Sequence, residues 1–148
     1  MRVGTIGSGF IVRYILENIA KTEGICCEAV YSRKMETGKK LADEFGVSKV
    51  YTDLDEMCKD DQIDLIYIAS PTSIHYEHAK KALSYGKHVI CEKPFTPTVA
   101  EAEELIRMAK EKHVFLIEAI TTLYHPHYRW IKEHMDAIGD LKMISCIF

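Results

Sequence analysis

The sequence predicts an α/β protein built on a doubly wound parallel sheet, and three observations carry that prediction. Short β-branched runs alternate with longer segments of helical periodicity along most of the chain. Several of the short runs, residues 65–69 among them, are almost unbroken in hydrophobicity, as strands covered on both faces must be. The links between runs are short, which favours parallel strands joined by right-handed helical crossovers.

Taken in order, the first predicted strand is Arg2–Ile6, which runs into Gly7-Ser8-Gly9. A helix opens near Phe10, with Ile11, Ile15 and Ile19 recurring at i+4. Cys26–Tyr31 is the second strand and ends at Ser32-Arg33-Lys34; Lys49–Tyr51 is the third, followed by Thr52-Asp53-Leu54-Asp55, a helix start. Residues 65–69 and His88–Cys91 are the fourth and fifth. Thr98-Val99-Ala100-Glu101 is a capping box, in which Thr98 and Glu101 each satisfy an amide left orphaned at a helix start. It heads a helix whose stripe is Val99, Ala102, Leu105, Ile106 and Ala109. Residues 114–117 make the sixth strand.

The pattern changes after about Glu118. Residues 121–127 are rich in polar and ring side chains, 128–137 read as a helix, and 140–148 read as one more strand with Leu141, Met143, Ser145 and Ile147 on one face. The expected organisation is therefore one domain over 1–119 and the beginning of a second, α+β domain over 120–148.

Composition narrows the function classes. A length of 148 residues suits one domain plus a fragment, and 47% hydrophobic with 28% charged residues is an ordinary globular balance. A net charge of −3 provides no field to attract nucleic acid or an anionic membrane. No apolar run reaches the roughly 18 residues of a membrane span, and the N-terminus lacks signal-peptide character. Cys26, Cys27, Cys58, Cys91 and Cys146 show no metal-binding or CxxC spacing, so reduced thiols and a cytoplasmic setting are expected. The pairs His75/His78 and His125/His127 lack third and fourth ligands, and no metal is expected. Tyr124, Tyr128 and Trp130 have no basic stripe among them for stacking nucleic acid.

Three places carry chemistry. At the first strand–helix turn, Gly7 permits a tight bend and Gly9 lets a pyrophosphate approach bare backbone, facing the amides and positive dipole end of the first helix. Val12 stands where a third glycine would allow closest helix–strand packing. After the second strand there is no acid to accept from a ribose 2′-hydroxyl; Ser32, Arg33 and Lys34 offer a hydroxyl and two cations, which suit a 2′-phosphate. The bland alternative is a solvated loop. After the fifth strand, Glu92-Lys93-Pro94 sets a charged pair where α/β sheets place ligands, with Glu92 expected to hold Lys93 and tune its protonation. On pattern alone, a surface ion pair is the favoured reading.

Together, the glycine turn, Ile68-Ala69-Ser70-Pro71-Thr72 with His75 one turn on, Gly86-Lys87-His88-Val89 and Glu92-Lys93-Pro94 resemble the glucose–fructose oxidoreductase/inositol dehydrogenase (Gfo/Idh/MocA) family of NAD(P)-dependent oxidoreductases. The resemblance runs from Met1 to about Glu118, and Ile117-Glu118-Ala119 with Tyr124 is most similar to the dihydrodiol dehydrogenase-type branch. It implies a Rossmann domain in which Gly7, Gly9, Phe10 and Ile11 touch the pyrophosphate and Ser32 and Arg33 meet the adenosine ribose. Ala69, Ser70, Pro71 and Thr72 would line the crevice, with His75 nearby. Glu92 and Lys93 would reach the nicotinamide ribose, and Lys93 would be the catalytic residue that polarises the reacting oxygen. NADP(H) is the favoured cofactor, with NAD(H) tolerated.

The implied activity is oxidation of a secondary alcohol of a sugar, cyclitol or diol, or reduction of the ketone. The partners would be a small-molecule substrate and, given the family's second domain, further copies of the chain. Family members carry a catalytic His in that second domain, and no residue here matches it. A non-catalytic dinucleotide-binding module therefore stands as the alternative. A methyltransferase is disfavoured by the missing acid after the second strand and by Glu92-Lys93-Pro94.

Overall fold

A computed structural model describes residues 1–145. Among these, six parallel strands form one sheet: β1 (Arg2–Ile6), β2 (Cys26–Tyr31), β3 (Lys49–Tyr51), β4 (Leu65–Ile68), β5 (His88–Cys91) and β6 (Leu116–Glu118). Their order is β3-β2-β1-β4-β5-β6. The helices are α1 (Phe10–Ile19), α2 (Met35–Phe45), α3 (Leu54–Lys59), α4 (His75–Ser84), α5 (Val99–Lys112) and α6 (Pro126–His134). The chain winds outward from β1 through β2 and β3, then crosses back to pair β4 with β1. This is the expected doubly wound sheet.

Two-sided burial explains the unbroken strand sequences. On one face, Ile6, Ala29, Ile66, Ile68 and Val89 pack against Met57 and Cys58 of α3, Ala79 and Leu83 of α4, and Leu105 of α5. On the other, Val30 meets Val12 and Leu16 of α1 and Leu41 of α2, while Val3, Leu65 and Tyr67 pack near Ile15 and Ile19. Fully buried residues such as Ile66 and Leu83 contribute on the order of 1.5–3 kcal/mol each.

Helix starts follow the local chemistry. The Asp53 carboxylate accepts from the amides of Asp55 (2.7 Å) and Glu56 (3.4 Å) and so caps α3. The Thr98/Glu101 capping box is complete at the head of α5.

Several expectations need correction. In α1 the fully buried residues are Val12 and Leu16; of the Ile11, Ile15 and Ile19 stripe, Ile15 and Ile19 are partly buried against Val3, Leu65 and Tyr67, whereas Ile11 is exposed. In α5, Leu105 and Ala109 are buried, whereas Val99 and Ile106 face solvent. β6 begins two residues late, because His113 ends α5 in a left-handed conformation and the Val114 amide still bonds the Ala109 carbonyl. The last helix starts at Pro126, whose missing amide suits a first helical turn, and tightens into a 3₁₀ turn over Met135–Ile138. Residues 140–145 form no strand, having no neighbour to complete a ladder; the rest of that predicted strand, Ile147 included, lies outside the described residues.

Candidate functional site

All six strands deliver their carboxyl ends to one edge of the sheet. At that edge, where β1 and β4 lie side by side and their crossovers diverge, is a crevice of about 380 Å³. Ile6, Gly7, Ser8 and Gly9 supply one part of its lining and Tyr31, Ser32 and Arg33 another. Ala69, Ser70 and Pro71 complete it together with Ile74 and His78.

The glycines hold the positions their chemistry requires. Gly7 sits at φ 118°, and a β-carbon there would stand 2.6 Å from the Ala69 carbonyl oxygen, so the turn can lie against the end of β4 only with glycine. At Gly9 a β-carbon would meet nothing within 4 Å; its absence leaves free space ahead of α1. No side chain caps α1 and its first turn has no acid, so its leading amides remain open to an anion. Phe10, 78% exposed, and Ile11 head α1 just beyond the lining. Val12 is fully buried in the place of the third glycine.

Beside the glycine turn, the Ser32 amide donates to the Tyr51 carbonyl (3.0 Å), which fixes the end of β2 while Arg33 extends into solvent. The Ser70 hydroxyl lies 3.0 Å from Nδ1 of His78, whose ring stands edge-on to Tyr31. Burial lowers the pKa of His78, aided by the neighbouring His75 and Lys81.

The Glu92-Lys93-Pro94 turn lies outside the crevice lining, at the end of β5. Its carboxylate does not hold the lysine: Glu92 Oε1 accepts from the Tyr67 hydroxyl at 2.5 Å. Tyr67 projects from β4, the strand beside β5, and reaches Glu92 first. Burial, reinforced by that carboxylate, pushes the Tyr67 phenol far above its usual range, so it remains a donor. Lys93 is exposed and, among the described residues, forms no ion pair. The Phe95 amide donates to Glu118 (3.1 Å), securing the far side of the turn.

His75 stands behind the crevice wall rather than in its lining. It is 1% exposed, with Nδ1 2.9 Å from the Pro94 carbonyl oxygen and Nε2 2.7 Å from that of Ser70. Both ring nitrogens thus face backbone carbonyls rather than His78. Among the described residues, no three His, Cys, Asp or Glu side chains gather as a metal site. Cys91, buried beneath the turn, has its thiol pushed up to about 12 and stays protonated. Among the described residues, no helix is long and apolar enough to cross a membrane.

The structure therefore gathers Gly7, Gly9, Ser32, Arg33, Ala69, Ser70 and Pro71 around one crevice, with Thr72 exposed beside Pro71 and Glu92 and Lys93 one strand further along. Sequence reasoning missed Ile6, Ser8, Tyr31, Ile74 and His78 in the lining, and Tyr67 behind Glu92. Ile74 and His78 are four apart on one helical face, a signal that was present in the sequence.

A glycine turn against the β1/β4 junction, an uncapped helix start and a hydroxyl–guanidinium pair after β2 define a dinucleotide-binding fold. Residues 1–120 match the Gfo/Idh/MocA family model, described as an oxidoreductase family with an NAD-binding Rossmann fold, and the chain belongs to that family. It is 36% identical over its whole length to scyllo-inositol 2-dehydrogenase (NADP(+)) IolU of Bacillus subtilis, of which it covers 45%. It is 34% identical to trans-1,2-dihydrobenzene-1,2-diol dehydrogenase of Xenopus tropicalis over 81% of the chain and 37% of that protein. Among solved structures, the 3-ketoreductase KijD10 from Actinomadura kijaniata, in complex with NADP and TDP-benzene, superposes with a TM-score of 0.88 at 30% identity, over 93% of this chain and 42% of that one. The chain thus spans less than half the length of these relatives.

Proposed function

We propose that this chain binds NADP(H), with NAD(H) as the weaker ligand, and forms the coenzyme-holding portion of an oxidoreductase acting on a secondary alcohol or ketone of a sugar, cyclitol or diol. The observation that carries the reading is the cradle at Gly7 and Gly9: one glycine is required by the bend, while the other leaves room before uncapped helix amides. A diphosphate fits that combination of space and polarity. Ser32 and Arg33, which line the crevice, would bind a ribose 2′-phosphate, Arg33 as a planar multi-donor cation. Phe10, Ile11 and Thr72 would border the phosphates and crevice mouth. The NADP named for IolU and KijD10 supports the preference, and the family model's description as NAD-binding supports the second ligand.

A bound nicotinamide would supply hydride acceptance or donation. Lys93 would donate a hydrogen bond to the reacting oxygen and follow its proton, while Glu92, steadied by Tyr67, would meet the nicotinamide ribose. We place the coenzyme domain at 1–119 and the start of a substrate and assembly domain at 120–148, in line with the extent of the family match. Homo-oligomerisation would belong to that second domain. Cytoplasmic residence is supported by Cys26, Cys27, Cys58 and Cys91, none of which forms a disulfide among the described residues. Neither nucleic acid nor a membrane enters this reading.

Titration of the purified chain with NADPH tests the proposal. Enhanced coenzyme fluorescence and a raised melting temperature are expected; neither effect at millimolar NADPH would refute it.

A further inference from the structure

We propose that His75 is a positioning residue: its ring, with a hydrogen on each nitrogen, clasps the Ser70 carbonyl in the crevice wall and the Pro94 carbonyl in the lysine turn. The functional consequence rests on the coenzyme reading above; the geometry does not.

Both partners of the ring are backbone carbonyls, at 2.7 and 2.9 Å, and carbonyls only accept. Each contact is a hydrogen bond only if the ring donates at that nitrogen. A ring with one hydrogen would press a bare nitrogen lone pair against a carbonyl in a site closed to water, since His75 is 1% exposed. Two hydrogens resolve both contacts, and the two carbonyl dipoles then face a cationic ring in charge-assisted bonds.

The two arms reach different functional parts. Ser70 lines the crevice, and its hydroxyl is already tied to His78. Pro94 directly follows Lys93, which, among the described residues, has no ion-pair partner to place it. Lys93 therefore takes its position from the backbone of the turn. Tyr67 anchors that turn at Glu92 and Glu118 anchors it at Phe95, but of these anchors only His75 also holds the crevice wall. The ring sets the separation between the wall that meets the coenzyme and the turn that presents the amine.

The test uses the 148-residue chain. With histidine ¹⁵N-labelled, both ring nitrogens of His75 should show attached hydrogens; one bare nitrogen overturns the clasp, whatever the chain binds. Two substitutions then separate the arms. His75→Asn leaves an amide near the Nδ1 position and so keeps the Pro94 arm, whereas His75→Gln leaves one near Nε2 and keeps the Ser70 arm. His75→Asn should weaken NADPH binding about tenfold and leave the rate of Lys93 acylation by an amine-reactive ester near that of the parent; His75→Gln should change the Lys93 rate about tenfold and spare NADPH binding. Equal effects of both variants on both readouts would reduce His75 to a core side chain and overturn the proposal. If the parent chain fails to bind NADPH, the coenzyme reading falls, while the nitrogen spectrum and the Lys93 rates still judge the clasp. The spectrum of the parent decides even if a variant fails to fold.

Discussion

The Tyr67 hydroxyl donates to the Glu92 carboxylate across 2.5 Å, joining the carboxyl ends of two adjacent parallel strands just before the lysine turn. Tyr67→Phe keeps the ring and removes the donor. The variant should lose about 1–1.5 kcal/mol of stability in urea titrations, the cost of one buried hydrogen bond. An unchanged midpoint would show that water replaces the phenol at no cost.

The two glycines of the first turn should respond in opposite ways. Gly7→Ala meets a left-handed φ and the Ala69 carbonyl, so it should destabilise the fold by about 1–3 kcal/mol. Gly9→Ala meets open space and an ordinary φ of −80°, so its melting temperature should match the parent's. Its NADPH affinity should nevertheless fall by at least about tenfold, because the methyl occupies the diphosphate's place. Calorimetry and fluorescence titration on the same two samples check both statements.

Arg33→Ala should weaken NADPH by about tenfold or more and NADH by much less, the loss expected for one charge-assisted phosphate contact. Equal losses for the two coenzymes would remove the 2′-phosphate assignment.

In a form as long as its relatives, Lys93→Ala should leave folding and coenzyme affinity near parental values while lowering kcat by about two orders of magnitude. Lys93 is exposed, which is why the fold should tolerate the change. Steady-state rates compared with single-turnover rates would show whether the loss is in chemistry.

Acid should destabilise the fold through Asp60. Lys49 Nζ (2.7 Å), the Gln62 amide (2.8 Å) and the Tyr51 hydroxyl (2.9 Å) all donate to its carboxylate. The Lys49 bond leads in lowering the pKa from 3.8 to about 2. A carboxylate depressed on folding stabilises in full above the ordinary value of 3.8, and that contribution is lost as pH falls toward about 2. Asp60→Asn should lower stability at neutral pH and flatten the decline across that window, as followed by urea midpoints at stepped pH.

The sheet was largely legible because strands buried on both faces write their burial directly into sequence. Arg2–Ile6, Cys26–Tyr31, Lys49–Tyr51 and His88–Cys91 all fall where the apolar runs do. Helical faces were less legible. In α1, packing uses parts of two adjacent apolar stripes: Val12 and Leu16 are buried against Val30 and Leu41, while Ile15 and Ile19 are partly buried against Val3, Leu65 and Tyr67. The crevice was legible at Gly7, Gly9, Ser32 and Arg33, whose chemistry is local, and at Ala69-Ser70-Pro71 only through the family resemblance. Tyr67 and His75 were not legible in their roles. Their partners, Glu92 and Pro94, are 25 and 19 residues away, and nothing local signals that one holds a carboxylate and the other two carbonyls. Over residues 140–145 the tail strand failed because alternation supplies a face but no neighbour.

Arg33 and Lys34 project into solvent from the end of a strand whose own packing needs neither of them. If Arg33 and Lys34 meet the coenzyme as proposed, a lineage built on this scaffold could exchange one redox carrier for another by editing two dangling side chains, with the interior unaware of the change. Preference for the coenzyme and durability of the fold can evolve independently here.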